Sequence, residues 1–249
     1  MSEALAVRFA AAGLDWILPN WPAPASVRAF STTRNGRGGA AFDLSPRAPE
    51  RELVRAELLR WLPEDPLWLA QIHGGAVCTI DDVRRANGAA PRADAAVARD
   101  AQSVCAVQTA DCMPVLFADR AGEVVAAAHA GWRGLAAGVL EATLSAMRVE
   151  PKAVMAWLGP AIGPRAFEVG PDVFAAYCAE DTGAAACFAP LRPGKWLADL
   201  YGLARRRLAR AGVDTVHGGD RCTFTESNVF YSYRRDHGDN RMATFIWRE

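Results

Sequence analysis

The 249-residue chain contains little histidine and little lysine, and its formal charges cancel. It has four histidines, and Lys152 and Lys195 are the two lysines among 28 basic residues, which 28 acidic residues balance. Proteins that bind nucleic acid or anionic membranes carry a surplus of basic charge. The first residues also lack the basic and apolar regions typical of a secretory leader, and no apolar run approaches the roughly 20 residues that span a bilayer. We therefore expect neither nucleic acid nor a membrane as a partner.

The chain also lacks the cysteine spacing of a disulfide framework or of a closed structural zinc site. Its six cysteines are scattered, and no two of them form a C-x-x-C pair. This pattern favours reduced thiols and hence a cytoplasmic location. Hydrophobic residues make up 51% of the chain and charged residues 22%, as in a globular protein with a sizeable core. Since no repeat or low-complexity linker interrupts the sequence, residues 1–249 are expected to form a single domain.

Hydrophobic periodicity predicts a mixture of strands and helices. The predicted helices are 49–62, 132–147, 171–180 and 196–210. The predicted strands are 27–33, 67–72, 76–80, 95–99, 103–108, 114–118, 124–128, 153–158, 229–233 and 242–247. Because hairpins are mixed with helical crossovers, the pattern favours an α+β fold, or an α/β fold with mixed sheets, over a doubly wound sheet.

Two reactive side chains flank one predicted hairpin. Cys112 comes directly before the apolar run 113–117, and His129 directly follows the apolar run 124–128. Both residues stand where the apolar runs stop, at the open end of the hairpin. A thiol and an imidazole at one place are typical of a metal centre or of a Cys/His nucleophile pair.

A third candidate ligand, His73, lies at the end of another apolar segment. It precedes Gly74 and Gly75, which let a ligand or another chain segment approach closely. A histidine in such a turn often has a purely structural role. With Cys112 and His129, however, it forms a set of three ligands from three loops, and three ligands with one open position are typical of catalytic zinc. Gln71, in the same segment, is a candidate substrate contact.

Further residues are candidates for anion binding and proton transfer. Arg133 lies in the G-W-R-G segment that begins the predicted helix 132–147, where a helix N-terminus attracts anions. Arg34 begins a second candidate loop, R-N-G-R-G-G, although simple glycine turns with solvated arginines are the better explanation of that loop taken alone. Asp94 and Asp111 are candidates for orienting a ligand histidine or for acting as a general base. A cap or turn role fits both carboxylates equally well.

Several motifs together resemble the laccase-domain family, which is also called the multicopper polyphenol oxidoreductase-like, purine nucleoside phosphorylase or peptidoglycan editing factor family. The most specific are Q-I-H-G around His73, T-A-D-C-M-P-V-L around Cys112 and H-A-G-W-R-G from His129. The resemblance covers nearly the whole chain, through F-S-T-T-R (30–34), L-G-P-A-I-G-P (158–164), F-E-V-G (167–170), F-Y-S-Y-R-R-D (230–236) and R-M-A-T-F-I-W (241–247). Two segments depart from the family pattern. Asp239 and Asn240 replace its usual turn before Arg241, and the region after Leu44 lacks its N-L-G and V-G-D motifs.

The resemblance implies an α-β-β-α sandwich with zinc held by His73, Cys112 and His129. It also implies phosphorolysis of purine nucleosides (adenosine, inosine and methylthioadenosine), accompanied by adenosine deamination. In this hypothesis Cys112 and His129 are also catalytic residues, and Asp111 carries protons. Phosphate would be held by Arg34 or Arg133.

The family's older name refers to copper, but the sequence argues against multicopper chemistry. Such an oxidase needs many imidazoles, typically in H-x-H pairs, and this chain has four histidines and no such pair. One copper ion would bind a His₂Cys set adventitiously, since copper exceeds zinc in intrinsic affinity. Two alternatives stay open: a metal-free hydrolase or deamidase in which His129 activates Cys112, and a peptidoglycan-precursor editing factor. The sequence leaves the oligomeric state and the preferred nucleoside open.

Overall fold

The computed structural model describes residues 2–85 and 89–249, which form three β-sheets with helices outside them. The strands are β1 (Val27–Ser31), β2 (Val77–Thr79), β3 (Ala95–Ala98), β4 (Cys105–Thr109), β5 (Met113–Asp119), β6 (Val125–Ala130), β7 (Val154–Leu158), β8 (Glu168–Val169), β9 (Phe188–Arg192), β10 (Lys195–Ala198), β11 (Thr215–Gly218) and β12 (Met242–Arg248). The helices are α1 (Ser2–Ala11), α2 (Arg51–Leu58), α3 (Ile80–Arg85), α4 (Trp132–Ala136), α5 (Val139–Met147), α6 (Pro171–Cys178), α7 (Leu200–Arg210) and α8 (Tyr233–Asp236).

The largest sheet has the strand order β11-β7-β5-β6-β3-β2. Its outer pairs, β2 with β3 and β7 with β11, are parallel, and the inner pairs are antiparallel. The β5–β6 hairpin lies at the centre and is buried along its whole length, which explains its continuous apolar runs. In its register Met113 pairs with Ala130 and Pro114 with His129. The predicted hairpin is therefore confirmed, with Cys112 and His129 at its open end.

A second, antiparallel sheet of order β1-β12-β4 packs against the first. Leu116 and Ala127 of the hairpin share one buried cluster with Val107 of β4 and Ile246 of β12. Because successive strand side chains point to opposite faces, the neighbouring residues face away from this interface. The two sheets thus enclose the middle of the molecule.

Helices cover the two outer faces of the paired sheets. Leu140 of α5 and Leu203 of α7 pack on the outer face of the six-stranded sheet, in the same cluster as Phe117. Phe9 of α1 and Leu58 of α2 pack with Phe30 on the outer face of the three-stranded sheet. The layers are therefore helix, sheet, sheet and helix, which confirms the expected α-β-β-α sandwich. The third sheet, of order β8-β10-β9, is small.

The segment 67–72 was expected to be a strand, and this prediction is wrong apart from a single bridge between Leu67 and Cys105. Its backbone N–H groups find other acceptors. The Ala70 N–H donates to the Pro91 carbonyl, and the Ile72 N–H donates to the Asp94 carboxylate. The apolar alternation of this segment reflects burial of Leu67 and Leu69 in the cluster between the two sheets.

Three other predicted elements also differ from the structure. The helix predicted over 132–147 is two helices, because Gly138 between α4 and α5 has a φ of 86°. The helix predicted over 196–210 begins with strand β10, and Asp199 then caps α7 by accepting from the Gly202 N–H at 2.9 Å. The strand predicted over 229–233 is a turn that leads into α8.

Some smaller differences concern the ends of the chain and the helix bounds. Helix α1 was not predicted, and the helix predicted over 49–62 is regular only in α2. Within residues 2–85 and 89–249, no helix is both long enough and apolar enough to cross a membrane.

Candidate metal centre

Three side chains that are far apart in sequence meet at the open end of the β5–β6 hairpin. His73 comes from the loop before β2, Cys112 from the link between β4 and β5, and His129 from β6. One ligand atom from each of them lies within 4.8 Å of the others. The two imidazole rings are 4.7 Å apart at an angle of 81°. This arrangement brings together the three residues predicted as metal ligands.

The buried carboxylate of Asp94 holds two of these ligands in place. One of its oxygens lies 2.9 Å from His129 Nδ1, which leaves Nε2 as the ring atom available to a metal. The same carboxylate accepts the backbone N–H groups of His73 at 2.8 Å and Gly74 at 2.7 Å. His73 has a φ of 59°, a left-handed conformation that is uncommon for histidine. Asp94 therefore orients one ligand ring and stabilises the strained backbone of the other.

The charges at the centre favour a thiolate beside an imidazolium when no metal is present. Burial alone raises the pKa of Cys112, but the imidazoles of His129 and His73 outweigh it and lower the pKa to about 6. Burial alone lowers the pKa of His129, but Cys112 and Asp94 outweigh it and raise the pKa to about 9. Burial likewise raises the pKa of Asp94, and hydrogen bonds from His129 and Gly74 hold it below its usual range.

This donor set fits zinc. A thiolate and two imidazole nitrogens are ligands that zinc prefers, and three protein ligands leave one position open. A carboxylate on the second nitrogen of a ligand histidine is typical of such sites. His73, Cys112 and His129 are thus the residues that would hold the ion.

The centre opens into a cavity of about 710 Å³. Its polar lining residues include Gln71, Gln108, Arg133, Arg234 and Arg241, and its aromatic lining residues include Trp132 and Phe167. A cavity of this size accommodates a small organic ligand. Its lining combines apolar surface with several polar groups, as in many small-molecule sites.

The structure places the other predicted site residues differently with respect to this cavity. Arg133 lines it, with its guanidinium 4.3 Å from the Trp132 ring centre. Gln71 also lines it, but its amide pairs with the Gln108 backbone, donating at 2.8 Å and accepting at 2.7 Å. Arg34 is not among the lining residues. Its guanidinium lies over the Tyr231 ring and donates to the Ser227 carbonyl at 2.7 Å.

Asp111 lines the cavity beside Cys112, with its carboxylate already hydrogen-bonded. One oxygen accepts from the Thr223 hydroxyl at 2.5 Å, and the other accepts from the Ser232 hydroxyl at 3.0 Å and the Arg234 N–H at 2.7 Å. Its own backbone has a φ of 85°. The residue thus ties the link that carries Cys112 to the segment that begins α8.

Sequence reasoning did not select Gln108, Arg234 or Arg241, which also line the cavity. Arg234 stands within F-Y-S-Y-R-R-D and Arg241 begins R-M-A-T-F-I-W, so both belong to motifs that carry the family resemblance. Membership of those motifs was the available signal. Long-range packing decides which side chains of these motifs line the cavity.

Comparisons with known proteins agree with this fold. Among curated proteins, the chain is 50% identical over 245 residues to "Purine nucleoside phosphorylase YfiH" of Escherichia coli K12, with coverage of 93% of this chain and 98% of that protein. It is 48% identical over 243 residues to "Purine nucleoside phosphorylase PA4543" of Pseudomonas aeruginosa, with the same coverage values of 93% and 98%.

Solved structures with the same fold include NMB0706 of Neisseria meningitidis, at 47% identity and a TM-score of 0.89, with coverage of 94% of this chain and 99% of that one. YlmD of Geobacillus stearothermophilus is 26% identical with a TM-score of 0.83, covering 94% of this chain and 96% of its own. A family model described as multi-copper polyphenol oxidoreductase laccase matches residues 48–249. The chain therefore belongs to the multi-copper polyphenol oxidoreductase laccase family.

Proposed function

We propose that this protein is a zinc-dependent purine nucleoside phosphorylase with an accompanying adenosine deaminase activity. The observation that carries the proposal is the meeting of His73, Cys112 and His129 within 4.8 Å, at a cavity that is also lined by arginines. The names of the relatives, purine nucleoside phosphorylase, support the reaction class. The donor set supports zinc as the metal.

Phosphorolysis needs a phosphate held next to the sugar. The reaction breaks the bond between ribose C1′ and the base nitrogen and joins C1′ to a phosphate oxygen, and the phosphate proton leaves on the base. Arg133 and Arg234 are the candidates for holding the phosphate. Arg234 donates through Nη1 to the Glu168 carbonyl at 2.9 Å, which leaves Nε and Nη2 for a phosphate. In this proposal Asp111 fixes the Arg234 backbone by accepting its N–H. Its proposed role in proton transfer is a separate one.

Zinc at the three ligands, when bound, supplies a Lewis acid at the inner end of the cavity. The protein's own contribution is to exclude water and to keep the purine and the phosphate in one orientation. Trp132 and Phe167 provide apolar surface for the base, and the guanidinium groups of Arg133 and Arg234 lie over these two rings. Deamination of adenosine in the same cavity would consume one admitted water molecule, whose oxygen joins purine C6 as the C6–N bond breaks, and would yield inosine and ammonia.

The proposal is tested with protein purified without added metal. Elemental analysis is expected to find one zinc per chain, and incubation with adenosine and phosphate is expected to yield adenine and ribose 1-phosphate. Cys112→Ala and His129→Ala should lose the metal and both activities, whereas Cys178→Ala, at the end of α6, should keep them. Full phosphorolysis by a metal-free Cys112→Ala protein would refute the zinc mechanism. Loss of deamination alone in Asp111→Asn would support the proton-transfer role.

One observation favours a second candidate, a metal-free hydrolase or deamidase. With pKa values of about 6 for Cys112 and about 9 for His129, the metal-free pair forms a thiolate and an imidazolium at neutral pH. Alkylation with iodoacetamide separates the candidates. Stoichiometric zinc that protects Cys112 supports the phosphorylase, and a zinc-free protein with a rapidly alkylated Cys112 supports the hydrolase.

A further inference from the structure

Besides the ligand histidines, three aromatic side chains line the cavity, and they differ in how much of each ring a ligand can reach. Phe167 is 6% exposed, and Trp132 is half-buried against the same hydrophobic cluster. Tyr233, in contrast, is 54% exposed. Of the exposed large apolar side chains in the described residues, it is the one that lines this cavity. Tyr233 therefore presents an aromatic ring to whatever the cavity binds.

The rings of the other two aromatic residues already have a cation over one face. The guanidinium groups of Arg133 and Arg234 lie 4.3 Å and 5.4 Å from those two ring centres. In the part of the chain that the structure describes, no cation lies over the Tyr233 ring, and its ring neighbour is His237. These two ring centres are 6.1 Å apart, with their planes at 79°. Since such an edge-to-face contact covers at most one face, at least one face of the Tyr233 ring is available to a ligand.

The backbone of Tyr233 is fixed although its ring is exposed. Asp111 accepts the N–H of the next residue, Arg234, at 2.7 Å, and it also accepts the hydroxyl of the preceding residue, Ser232, at 3.0 Å. The His237 N–H donates to the Tyr233 carbonyl at 2.9 Å. A tyrosine on a fixed backbone has two rotatable side-chain bonds left, so little conformational entropy is lost when a ligand covers its ring.

The Tyr233 hydroxyl has no hydrogen-bond partner among the described residues. Neither a hydrogen bond nor burial within the described protein therefore accounts for this side chain. The ring face is the part that remains for a ligand, and phenylalanine would present the same face.

We propose that the Tyr233 ring stacks on the purine base of the bound nucleoside and thereby helps to select purines over pyrimidines. The proposal rests on the proposed function and deepens it, because it names the residue that binds the base. A purine has a flat aromatic face, and stacking buries apolar surface on both rings. Its two fused rings cover more of a phenol ring than the single ring of a pyrimidine does. Ribose and phosphate have no aromatic face, so the free ring favours the base over the other parts of the reactants.

Binding of 2-aminopurine riboside, a fluorescent purine nucleoside, to the purified protein without phosphate tests the proposal. Because phosphorolysis needs phosphate, this titration measures binding alone, with the metal content of all variants matched. We expect Tyr233→Ala to raise the Kd about 10- to 100-fold, as for other residues that stack on bases. Tyr233→Phe, which keeps the ring, should restore the Kd to within about twofold of wild type. Stacking should also quench the emission of the bound nucleoside, and Tyr233→Leu, which keeps apolar surface without an aromatic face, should relieve the quenching.

Leu191→Ala is the matched control, because Leu191 is also an exposed apolar side chain, at 47%, but lies in β9 and does not line the cavity. This variant should have the Kd of wild type. Competition of adenosine and of cytidine with the fluorescent nucleoside measures the selection of purines. Tyr233→Ala should reduce the preference for adenosine over cytidine by about threefold or more. An unchanged preference would show that Tyr233 has no part in that selection.

Three results would overturn the stacking role. In the first, Tyr233→Ala binds the fluorescent nucleoside as tightly as wild type does. In the second, Tyr233→Leu matches Tyr233→Phe in both Kd and quenching, so that apolar surface without an aromatic face is sufficient. In the third, Tyr233→Ala weakens the binding of methyl riboside, a sugar without a base, as much as that of the nucleoside, which would place the sugar at this ring.

Steady-state kinetics separate this proposal from the proposed function. If wild type cleaves adenosine with phosphate and Tyr233→Ala has the wild-type KM for adenosine, the stacking role is wrong and the phosphorylase stands. If wild type cleaves no nucleoside but binds 2-aminopurine riboside through the Tyr233 ring, the phosphorylase is wrong and the stacking site stands.

Discussion

At the scale of single residues, two carboxylates shape the metal centre through the backbone. His73 and Asp111 both have positive φ angles, 59° and 85°, and they flank the centre from two different loops. Such conformations are unfavourable for residues other than glycine and persist where surrounding contacts stabilise them. Asp94 supplies those contacts to the His73 loop, and Thr223 and Ser232 supply them to Asp111. These contacts therefore fix the backbone of the His73 loop and of the link that carries Cys112.

The orienting role of Asp94 leads to a first prediction. Asp94→Asn keeps the shape of the side chain but places an NH₂ group against either His129 or the N–H groups of the His73 loop. We expect the dissociation constant for zinc to rise about 10- to 100-fold, as for other partners of ligand histidines. Competition with a chromophoric chelator measures it, and the thiolate charge-transfer band of the cobalt-loaded protein reports the ligand geometry.

Asp119→Asn is the control for this prediction. Asp119 is also a buried carboxylate that accepts backbone N–H groups, those of Glu123 at 2.7 Å and Val124 at 2.9 Å, but it lies at the far turn of the hairpin. We expect this change to lower stability and to leave zinc affinity unaltered. Equal zinc affinity in wild type and Asp94→Asn would contradict the orienting role.

Gly131 provides a second prediction at this scale. A Cβ atom at this position would lie 2.6 Å from Cys112 Sγ and 3.4 Å from His73 Cδ2. The backbone itself, with φ −68° and ψ 164°, suits alanine. Gly131→Ala should therefore weaken zinc binding by more than about tenfold while changing the free energy of unfolding of the metal-free protein by less than about 1 kcal/mol. Metal analysis and thermal melting measure the two effects.

The matched control is Gly36→Ala, which is remote from the centre and has a φ of −97°. A zinc-replete Gly131→Ala protein with normal affinity would show that the ligands move aside, and the close approach at Gly131 would then have no functional meaning.

The residues of the site differ in how far the sequence could identify them. Cys112 and His129 were predicted to meet because they end two strands of one hairpin, which is a short-range relation. For Asp94, a functional role and a cap or turn role were equally good predictions. Its contacts with the His73 loop join residues about 20 positions apart, and local sequence patterns do not report such contacts. Arg241 could not be selected, because its place in the cavity depends on the pairing of β12 with β4.

At the scale of elements, two of the misassigned segments, 67–72 and 196–210, share a physical cause. In each of them a side-chain carboxylate accepts from backbone N–H groups that would donate to backbone carbonyls in a strand or a continuous helix. Asp94 does so for the segment after Leu69, and Asp199 does so at the start of α7. Hydrophobic periodicity reports which residues are buried, but it does not report which group accepts each N–H. The Asp199 cap was recognisable as an acidic residue directly before L-Y-G-L.

Asp181 makes a corresponding connection between two elements and yields a pH prediction. Its carboxylate caps the turn at Thr182–Cys187 and binds Arg206 and Arg210 of α7. The hydrogen bond from Arg206 is the main reason that the pKa of Asp181 falls to about 2. Because the folded state lowers this pKa, the stabilisation is complete above the ordinary range near 4 and is lost as the pH falls towards 2.

Asp181→Asn should therefore lower the Tm at pH 7, and the difference from wild type should shrink below pH 4. Melting curves at pH 7, 4 and 3 measure it. Asp82→Asn is the control, because Asp82 also has a pKa of about 2 but binds Thr79 and Arg85 within its own turn. A difference for Asp181→Asn that grows with acidity would have the wrong sign for this account.

At the scale of the whole molecule, the metal centre lies where the two large sheets meet. Cys112 is in the link from β4 of one sheet to β5 of the other, and His129 is in β6. The His73 loop is attached to β4 through the Gln71 amide and the Gln108 backbone. A metal at this point would therefore connect both sheets and the loop between them.

The layered architecture came from the family resemblance and could not have come from local patterns. The three-stranded sheet pairs Val27 with Arg248 and Ser31 with Thr244, residues from opposite ends of the chain. Such pairing depends on the packing of both sheets across the cluster that contains Leu116 and Ile246. Local periodicity predicted most of the strands in these sheets, but the sheet to which each strand belongs is a property of the whole fold.

The position of the centre between the sheets predicts that zinc stabilises the entire molecule. A ligand that binds only the folded state, at a free concentration 100 times its dissociation constant, adds about 2.7 kcal/mol. For a chain of this size, that corresponds to a rise in Tm of about 5–10 °C in a single cooperative transition. Calorimetry of the chelator-treated protein with and without added zinc measures the shift. Cys112→Ala should show no zinc-dependent rise, whereas Cys178→Ala should behave like wild type. An equal zinc-dependent rise in the Tm of Cys112→Ala would mean that zinc stabilises the fold from another site. This variant lacks the thiolate through which a metal at the centre would connect the two sheets.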